Sequence, residues 1–371
     1  MTWRYLATRI HGDGTETFLG TSVPLTDVEI HQVVNGHGGI KATIEPEHPS
    51  LKQNGQFILE AGTTGIYAEV DGLIRGGGIL ENIDTDGPKL GLDCIGHTGY
   101  LTGMPYTGHK VIERDDPLKV SRHLWDHTQA RKNFNLGIEF DGATKSRTMF
   151  IGDDTIPTST TPVKVTPYVL AYWQTHDLAK EFDELADLAP FEYTLTHTWN
   201  TDKTRIHHTL TYGYPRLGAR RTDLRFTVGE NVTVLPQFKT DADSYASNVI
   251  VLGAGEGQKM MRAEDADPAP GRLGRYEVVA DKSITTPTAA RQRAAAERRA
   301  RTGQDDISDL AVAQHPNALL GSYQVGDDIL INTADGWQGR RSIWVKILGI
   351  QIRPNTNTTT LQVRRAEKVS K

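Results

Sequence analysis

The stretch Phe191-Glu192-Tyr193-Thr194-Leu195-Thr196-His197-Thr198-Trp199 is followed by the polar Asn200-Thr201-Asp202-Lys203-Thr204 and then by Arg205 to Tyr214. Phe191, Tyr193, Leu195 and Trp199 alternate with Glu192, Thr194, Thr196 and Thr198, and Ile206, Leu210, Tyr212 and Tyr214 keep the same period on the far side of the turn. Alternation with period two is the mark of a strand with one face in a core, so 191–214 reads as a β-hairpin.

The chain on either side of the hairpin changes period twice. Upstream, Leu178, Phe182, Leu185 and Ala189 recur at helical spacing, which predicts a helix over Thr175–Ala189 stopped by Pro190. A second helix is predicted over Pro117–Gln129, with Asp116 as N-cap and Pro117 at its first position. The polar, proline-bearing Ile151–Pro167 between them reads as an extended loop or arm. Residues 1–110 read as strands and turns. Val28–Val34, Ile40–Ile44, Gln56–Ala61, Ile66–Ile74, Gly78–Thr85 and Lys89–Ile95 are separated by Gly-, Asn- and Pro-bearing loops such as Asn35-Gly36-His37-Gly38-Gly39. From about Gly229 the pattern returns to strands: Asn248–Gly253, Tyr276–Ala280, then a helix over Thr288–Thr302 capped by Thr286, then a closing three-stranded meander from Val325 to Arg365. The expectation is an α+β, mainly β chain. Residues 1–110 and 229–371 form antiparallel barrels or sandwiches, and 111–228 is an α+β middle region.

Composition limits the function classes. With 36 Gly, 17 Pro and 37% hydrophobic residues, many short elements fit better than a few long helices. A net charge of −5 argues against a surface built throughout to grip nucleic acid. The single Cys94 lies between apolar neighbours and cannot form an intrachain disulfide; a buried structural thiol is expected. The N-terminal residues Met1 to Leu6 lack the charged-then-apolar order of a signal peptide, and no apolar run approaches the roughly 20 residues a bilayer span needs. A soluble chain made in a cytoplasm is expected.

No candidate for chemistry is complete. Gly253-Ala254-Gly255-Glu256-Gly257 has G-x-G-x-G spacing and is followed by charged, Pro/Gly-rich sequence, so a turn is expected where a dinucleotide fold would open a helix. His123 and His127 stand four apart on the predicted helix, a zinc-capable spacing, but Leu124 replaces the glutamate of a metalloprotease and no third ligand stands out. His207 and His208 are adjacent on a strand and face opposite ways, so they cannot chelate together. Glu181, Asp183, Glu184 and Asp187 share one amphipathic helix, and a solvated face explains them better than glycosidase chemistry. Arg291, Arg293, Arg298, Arg299 and Arg301 lie on one helix with Glu297 alone for acid; a neighbouring subunit's carboxylates suit that face better than bases, because no aromatic side chains are interleaved. No catalytic residue, cofactor site or metal site is assigned.

The order of elements resembles the hub (minor tail) proteins of tailed-phage baseplates, specifically those of siphophages infecting Gram-positive actinobacteria. The resemblance rests on Leu92-Asp93-Cys94-Ile95-Gly96-His97-Thr98-Gly99-Tyr100-Leu101 closing the first region and on the helix–hairpin section Thr175–Tyr214. It rests further on Ser247-Asn248-Val249-Ile250-Val251-Leu252-Gly253 and Tyr323-Gln324-Val325-Gly326-Asp327-Asp328-Ile329, and on the closing Ile347–Ile352 and Leu361-Gln362-Val363. It implies a non-enzymatic structural protein of the virion, located at the tail tip and assembled in the host cytoplasm. By resemblance it is a homotrimer in which each chain offers two tail-tube-like modules, beneath the tail-tube or distal tail protein. It would hold other tail-tip or receptor-binding proteins and touch genomic DNA transiently in the channel. The competing reading is a cell-wall carbohydrate-binding module or glycan hydrolase, with Tyr193, Trp199, Tyr212 and Tyr214 as an exposed sugar platform.

Overall fold

A computed structural model describes residues 2–53, 56–146, 149–150, 154–156, 163–165, 167–189, 191–240, 245–282, 284, 287–301, 305–307, 309–335, 339–356 and 358–366. It is mainly β, with three α-helices among the described residues. Short strands aside, the first region contributes β1 (Trp3–Ile10), β2 (Glu16–Gly20), β3 (Leu25–Val33), β4 (Gly39–Ile44), β5 (Thr64–Val70), β6 (Leu73–Asp86) and β7 (Lys89–Ile95). The middle region holds α1 (Pro117–Gln129), β8 (Ile138–Gly142), α2 (Leu178–Leu188), β9 (Glu192–Trp199) and β10 (Ile206–Gly213). After β11 (Arg220–Thr227) come β12 (Asn248–Leu252), β13 (Arg262–Ala266), β14 (Tyr276–Ala280) and α3 (Pro287–Ala300). The chain then runs through β15 (Leu310–Ala313), β16 (Asp328–Asp335), β17 (Gly339–Arg353) and β18 (Thr358–Arg365).

The first and last regions are joined edge to edge. One twelve-stranded sheet runs β11-β16-β17-β3-β4-β7-β6-β5-β1-β2, with β18 pairing β17 and β15. The seam is short: Gly349–Ile352 of β17 pairs antiparallel with Val33–Ile30 of β3. A single hydrophobic core follows the sheet across this seam, from Ala7 and Ile30 to Ile350 and Leu361. Each buried branched aliphatic of this kind contributes about 1.5–3 kcal/mol relative to exposure. Cys94 lies in that core, as expected, and burial pushes its thiol far up.

Both regions are built round an antiparallel meander with a long bulged middle strand. In the first, β6 pairs β5 with its first half and β7 with its second, shifting register between Leu80 and Asn82. In the last, β17 pairs β16 and then β18, shifting between Ile347 and Gly349. A bulge lets a strand bend and change partners while most of the ladder stays intact. The last region also has a parallel pair, β11 with β16, which the first lacks among its described strands.

Several boundaries differ from the sequence reading. Ile66–Ile74 is not one strand: Asp71 and Gly72 have φ of 52° and 80°, the mirror-image turn that closes a two-residue hairpin between β5 and β6. Arg220–Thr227, assigned to the middle region by sequence, belongs to the large sheet. Helix α3 does not cover the large sheet. It packs on a separate three-stranded sheet, β13-β12-β14, where Ala290 and Ala294 meet Val249 and Val251. Helix α1 matches its predicted span, and the Asp116 carboxylate accepts from the Leu118 N–H at 2.9 Å. Thr286 and Thr302 lie outside the described residues, as does most of the Ile151–Pro167 arm, in which Asp154–Ile156 and Val163–Val165 pair antiparallel.

Candidate functional site

The hairpin β9–β10 is where the three regions meet. Its outer partner is β8, parallel to β10, and α2 covers one face, with the Phe182 and Tyr193 rings edge to face at 4.5 Å. At its start, Tyr193 N–H donates to Asn35 Oδ1 at 2.8 Å and Asn35 N–H to the Tyr193 carbonyl at 3.0 Å. These bonds tie it to the loop after β3. The Glu192 carboxylate meets Lys346 of β17 at 2.8 Å and accepts from the Leu217 N–H at 2.7 Å; Lys346 is wholly buried. A buried ammonium is tolerated because that carboxylate sits beside it, and removing either charge would strand the other.

Further along, the hairpin closes over a second polar contact, with the first region. His197 and His208 are directly opposed across β9 and β10, their Nδ1 atoms 2.8 Å apart. His208 Nε2 is 3.0 Å from Glu16 Oε1, at the head of β2. Tyr67 of β5 donates its hydroxyl to the same oxygen at 2.8 Å, and Thr8 donates to Glu16 Oε2 at 2.8 Å. His97, in the 3₁₀ turn His97–Leu101 after β7, puts Nε2 3.4 Å from the Tyr67 hydroxyl and 4.0 Å from Glu16 Oε1. The approach is possible because Gly77 of β6 carries no side chain: a Cβ there would stand 2.1 Å from Tyr67 Cδ1 and 3.1 Å from His197 Cδ2.

Electrostatics follows from burial. Burial raises the Glu16 carboxyl, but hydrogen bonds and charge from His208 and His97 outweigh that and hold it well below the usual carboxylate range. Burial, with charge from His208, depresses His97 to about 4, and burial holds His197 well below the usual imidazole range, so both rings are neutral at pH 7. Burial, then Glu16, pushes the Tyr67 phenol far up.

The candidates singled out by sequence fare differently. His123 and His127 stay apart, ring centroids 6.1 Å from one another; His123 bonds the Tyr106 hydroxyl at 2.9 Å and His127 the Thr107 hydroxyl at 3.0 Å. His207 and His208 do face opposite ways, His207 lying 3.6 Å from Glu139. Gly253–Gly257 forms the β12–β13 turn. On α2, Asp183 accepts from the Tyr193 hydroxyl at 2.8 Å, while burial and then Glu184 raise Glu181 to about 7. Three of the arginines expected to await a neighbour's carboxylates meet acids of their own chain: Arg298 pairs with Asp265 and Asp267, Arg301, just past α3, with Glu277 and Glu297, and Arg293 with Glu297. The supposed sugar platform is not one. Tyr193 and Tyr212 are buried in the middle core, Tyr214 packs against it, and Trp199 stacks on Phe18 at 5.8 Å.

The Glu16–His97–His208 group was missed by sequence reasoning. The usable signal was periodic: His208 falls between Ile206 and Leu210, and His197 between Leu195 and Trp199, on the apolar side of both strands. A cleft of about 510 Å³ opens beside the group, lined by His37, Arg75, Gly77, His97, His197 and Trp199 among others.

No family model matches the sequence, and no curated protein is significantly similar to it. Solved structures do share the fold over its whole length. The 43 kDa tail protein of prophage MuSo2 from Shewanella oneidensis is 13% identical with a TM-score of 0.61, the match covering 99% of each chain. The prophage tail protein gp18 from Listeria monocytogenes EGD-e is 12% identical with a TM-score of 0.58, covering 98% of this chain and 95% of that one. A tail protein from Neisseria meningitidis MC58 is 15% identical with a TM-score of 0.54, covering 98% and 96%. End-to-end correspondence at such low identity is a likeness of fold: the chain has the fold of these phage tail proteins.

Proposed function

We propose that this chain is a structural protein of a long phage tail, the hub of the tail tip, acting as a homotrimer without catalysis. The observation that carries the reading is the seam between β3 and β17, which makes one continuous sheet out of two β regions that each centre on a long bulged strand. A threefold ring can seat on a sixfold tube only if each chain offers two similar surfaces about 60° apart about the axis. Two meanders locked by one seam supply such a pair at fixed spacing. The parallel strand β11 and the small α3 unit distinguish the second module from the first.

In this reading the tail-tube or distal tail protein sits above the ring, other tail-tip or receptor-binding proteins attach below, and genomic DNA passes through the channel. The protein is located in the virion, after assembly in the host cytoplasm. The placement among siphophages of actinobacteria rests on the order of sequence elements. Among the described residues no helix is long and apolar enough to cross a membrane. Burial of Tyr193 and Tyr212 weighs against the carbohydrate-platform reading. The test is the copy number of this chain at the tail tip, by density mapping of virions and quantitative mass spectrometry. Three copies are expected; one or six would sink the hub assignment.

A further inference from the structure

Protons alone serve the buried histidine group poorly. Tyr67 has one hydroxyl hydrogen, and it is given to Glu16. His97 is then left with Nδ1 unpartnered among the described residues and with Nε2 reaching only the Tyr67 oxygen at 3.4 Å and Glu16 at 4.0 Å. Good N–H donors sit 2.7–3.2 Å from their acceptors, and a wholly buried ring normally satisfies its nitrogens. On the other side, the Gly77 backbone accepts from the His197 ring. With that proton on Nε2, His197 Nδ1 accepts from His208 Nδ1–H, and His208 Nε2 faces the Glu16 carboxylate at 3.0 Å. A second proton on His208 or a metal ion can lie between those two atoms, but only a metal ion also gives His97 Nε2 a partner.

We propose that Glu16, His97 and His208, with the phenolic oxygen of Tyr67 as fourth ligand, bind one divalent transition-metal ion, zinc by ligand preference. The three principal donor atoms lie within 4.8 Å of one another. A tetrahedral zinc ion with bonds of about 2.0–2.1 Å wants its ligand atoms roughly 3.3 Å apart. The separations Glu16–Tyr67 at 2.8 Å, Glu16–His208 at 3.0 Å, Tyr67–His97 at 3.4 Å and Glu16–His97 at 4.0 Å bracket that spacing. Two imidazoles with two oxygens favour zinc, cobalt or nickel over magnesium and calcium, which prefer all-oxygen shells. His197 supplies the outer support that fixes the tautomer and tilt of a ligating imidazole, here for His208. The ligands come from β2, β5, the turn after β7, and β10, with Glu16 and His208 separated by 192 residues. The ion is therefore a structural clip holding the hairpin to the first region, and binding it stabilises the fold. The inference is independent of the tail role.

The experiment uses the full chain, purified without chelator or affinity histidines. Elemental analysis should find about one zinc per chain. Chelator-stripped protein given cobalt should develop the intense visible bands of tetrahedral coordination, and its melting midpoint should rise with added zinc. His97→Asn should weaken cobalt binding at least tenfold, whereas His123→Asn with His127→Asn should leave it unchanged. Stripped wild-type protein that shows neither cobalt bands nor a zinc-dependent midpoint would overturn the proposal without recourse to any variant. Loss of metal in the helix-pair variant rather than in His97→Asn would overturn it as well.

Discussion

The two long strands β6 and β17, of 14 and 15 residues, occupy the same place in their meanders and both approach the hairpin, yet they do so by opposite means. β17 extends a charge, Lys346, wholly buried, to the largely covered carboxylate of Glu192. β6 withdraws a side chain, presenting Gly77 so that Tyr67 and His197 can occupy the space. A buried ammonium fixes register because only one position of the partner carboxylate neutralises it. A glycine surface fixes distance, leaving register to whatever bulk lies opposite. One meander holds the hairpin through electrostatics and the other through shape, so the two contacts should fail differently.

The largest failure should come from the charged contact. Lys346→Ala leaves Glu192 buried without its counterion and should cost about 3–5 kcal/mol in denaturant unfolding. Lys346→Met combined with Glu192→Leu should recover most of it, because two apolar groups need no neutralisation. A loss under about 1 kcal/mol for the single variant would mean the pair is solvated and the contrast between the strands is false. Next is Gly77→Ala, whose Cβ has no room beside Tyr67; about 1–3 kcal/mol of overpacking is expected, partly relieved when Tyr67 is shortened to Leu. If Gly77→Ala unfolds at the wild-type midpoint, β6 does not approach the hairpin as closely as described.

Between the two strands lies Asn35, with φ of 51°, whose side chain accepts from the Tyr193 N–H. Asn35→Gly keeps the backbone and loses that bond, for about 1 kcal/mol. Asn35→Ala adds conformational strain and should lose more; equal losses would remove strain from the account. The last effect is one of pH and concerns α2, the hairpin's third support. Burial, with Glu184 nearby, raises the Glu181 carboxyl from an ordinary 4.5 to about 7. The folded state therefore holds this proton more tightly than the unfolded chain. Its contribution favours folding below about pH 4.5 and is lost as pH climbs through 7. Glu181→Gln should raise the melting midpoint at pH 8 and leave it unchanged at pH 4, and calorimetry at both values checks it.

Much of this architecture was legible from local pattern. The α1 boundaries follow from Asp116 and Pro117, and the β9–β10 hairpin from alternation, because capping and pleat are decided by neighbours in sequence. Asp71-Gly72 was equally local and went unread, hidden inside an apolar run that looked continuous. What local pattern could not carry is partnership. Nothing within reach of Leu25–Val33 says that its edge is completed by Gly349–Ile352, and nothing near the α3 arginines says that Asp265 and Asp267 await them. The histidine group lies between these cases. Its strand positions were readable as inward-facing, but the convergence of Glu16, His97 and His208 depends on sheet order. The His123–His127 spacing, zinc-capable but without a third ligand, places each ring beside its own hydroxyl.

The seam has a consequence for the history of the molecule rather than its shape. Gln351 and Glu29, hydrogen-bonded across it, are 322 residues apart. While the ribosome is still working through the middle of the message, β3 can pair one edge with β4, but the strand that completes its other edge has not been made. An open edge beside an apolar face is a template for pairing with other chains. Contacts of such long sequence separation form late, because a large loop must close before they reward it. For most of synthesis, then, each nascent copy exposes the same adhesive strand, and copies made together from one messenger are the nearest surfaces it can meet. A chaperone that shields Leu25–Val33 until the final strands emerge would match the lifetime of that exposure.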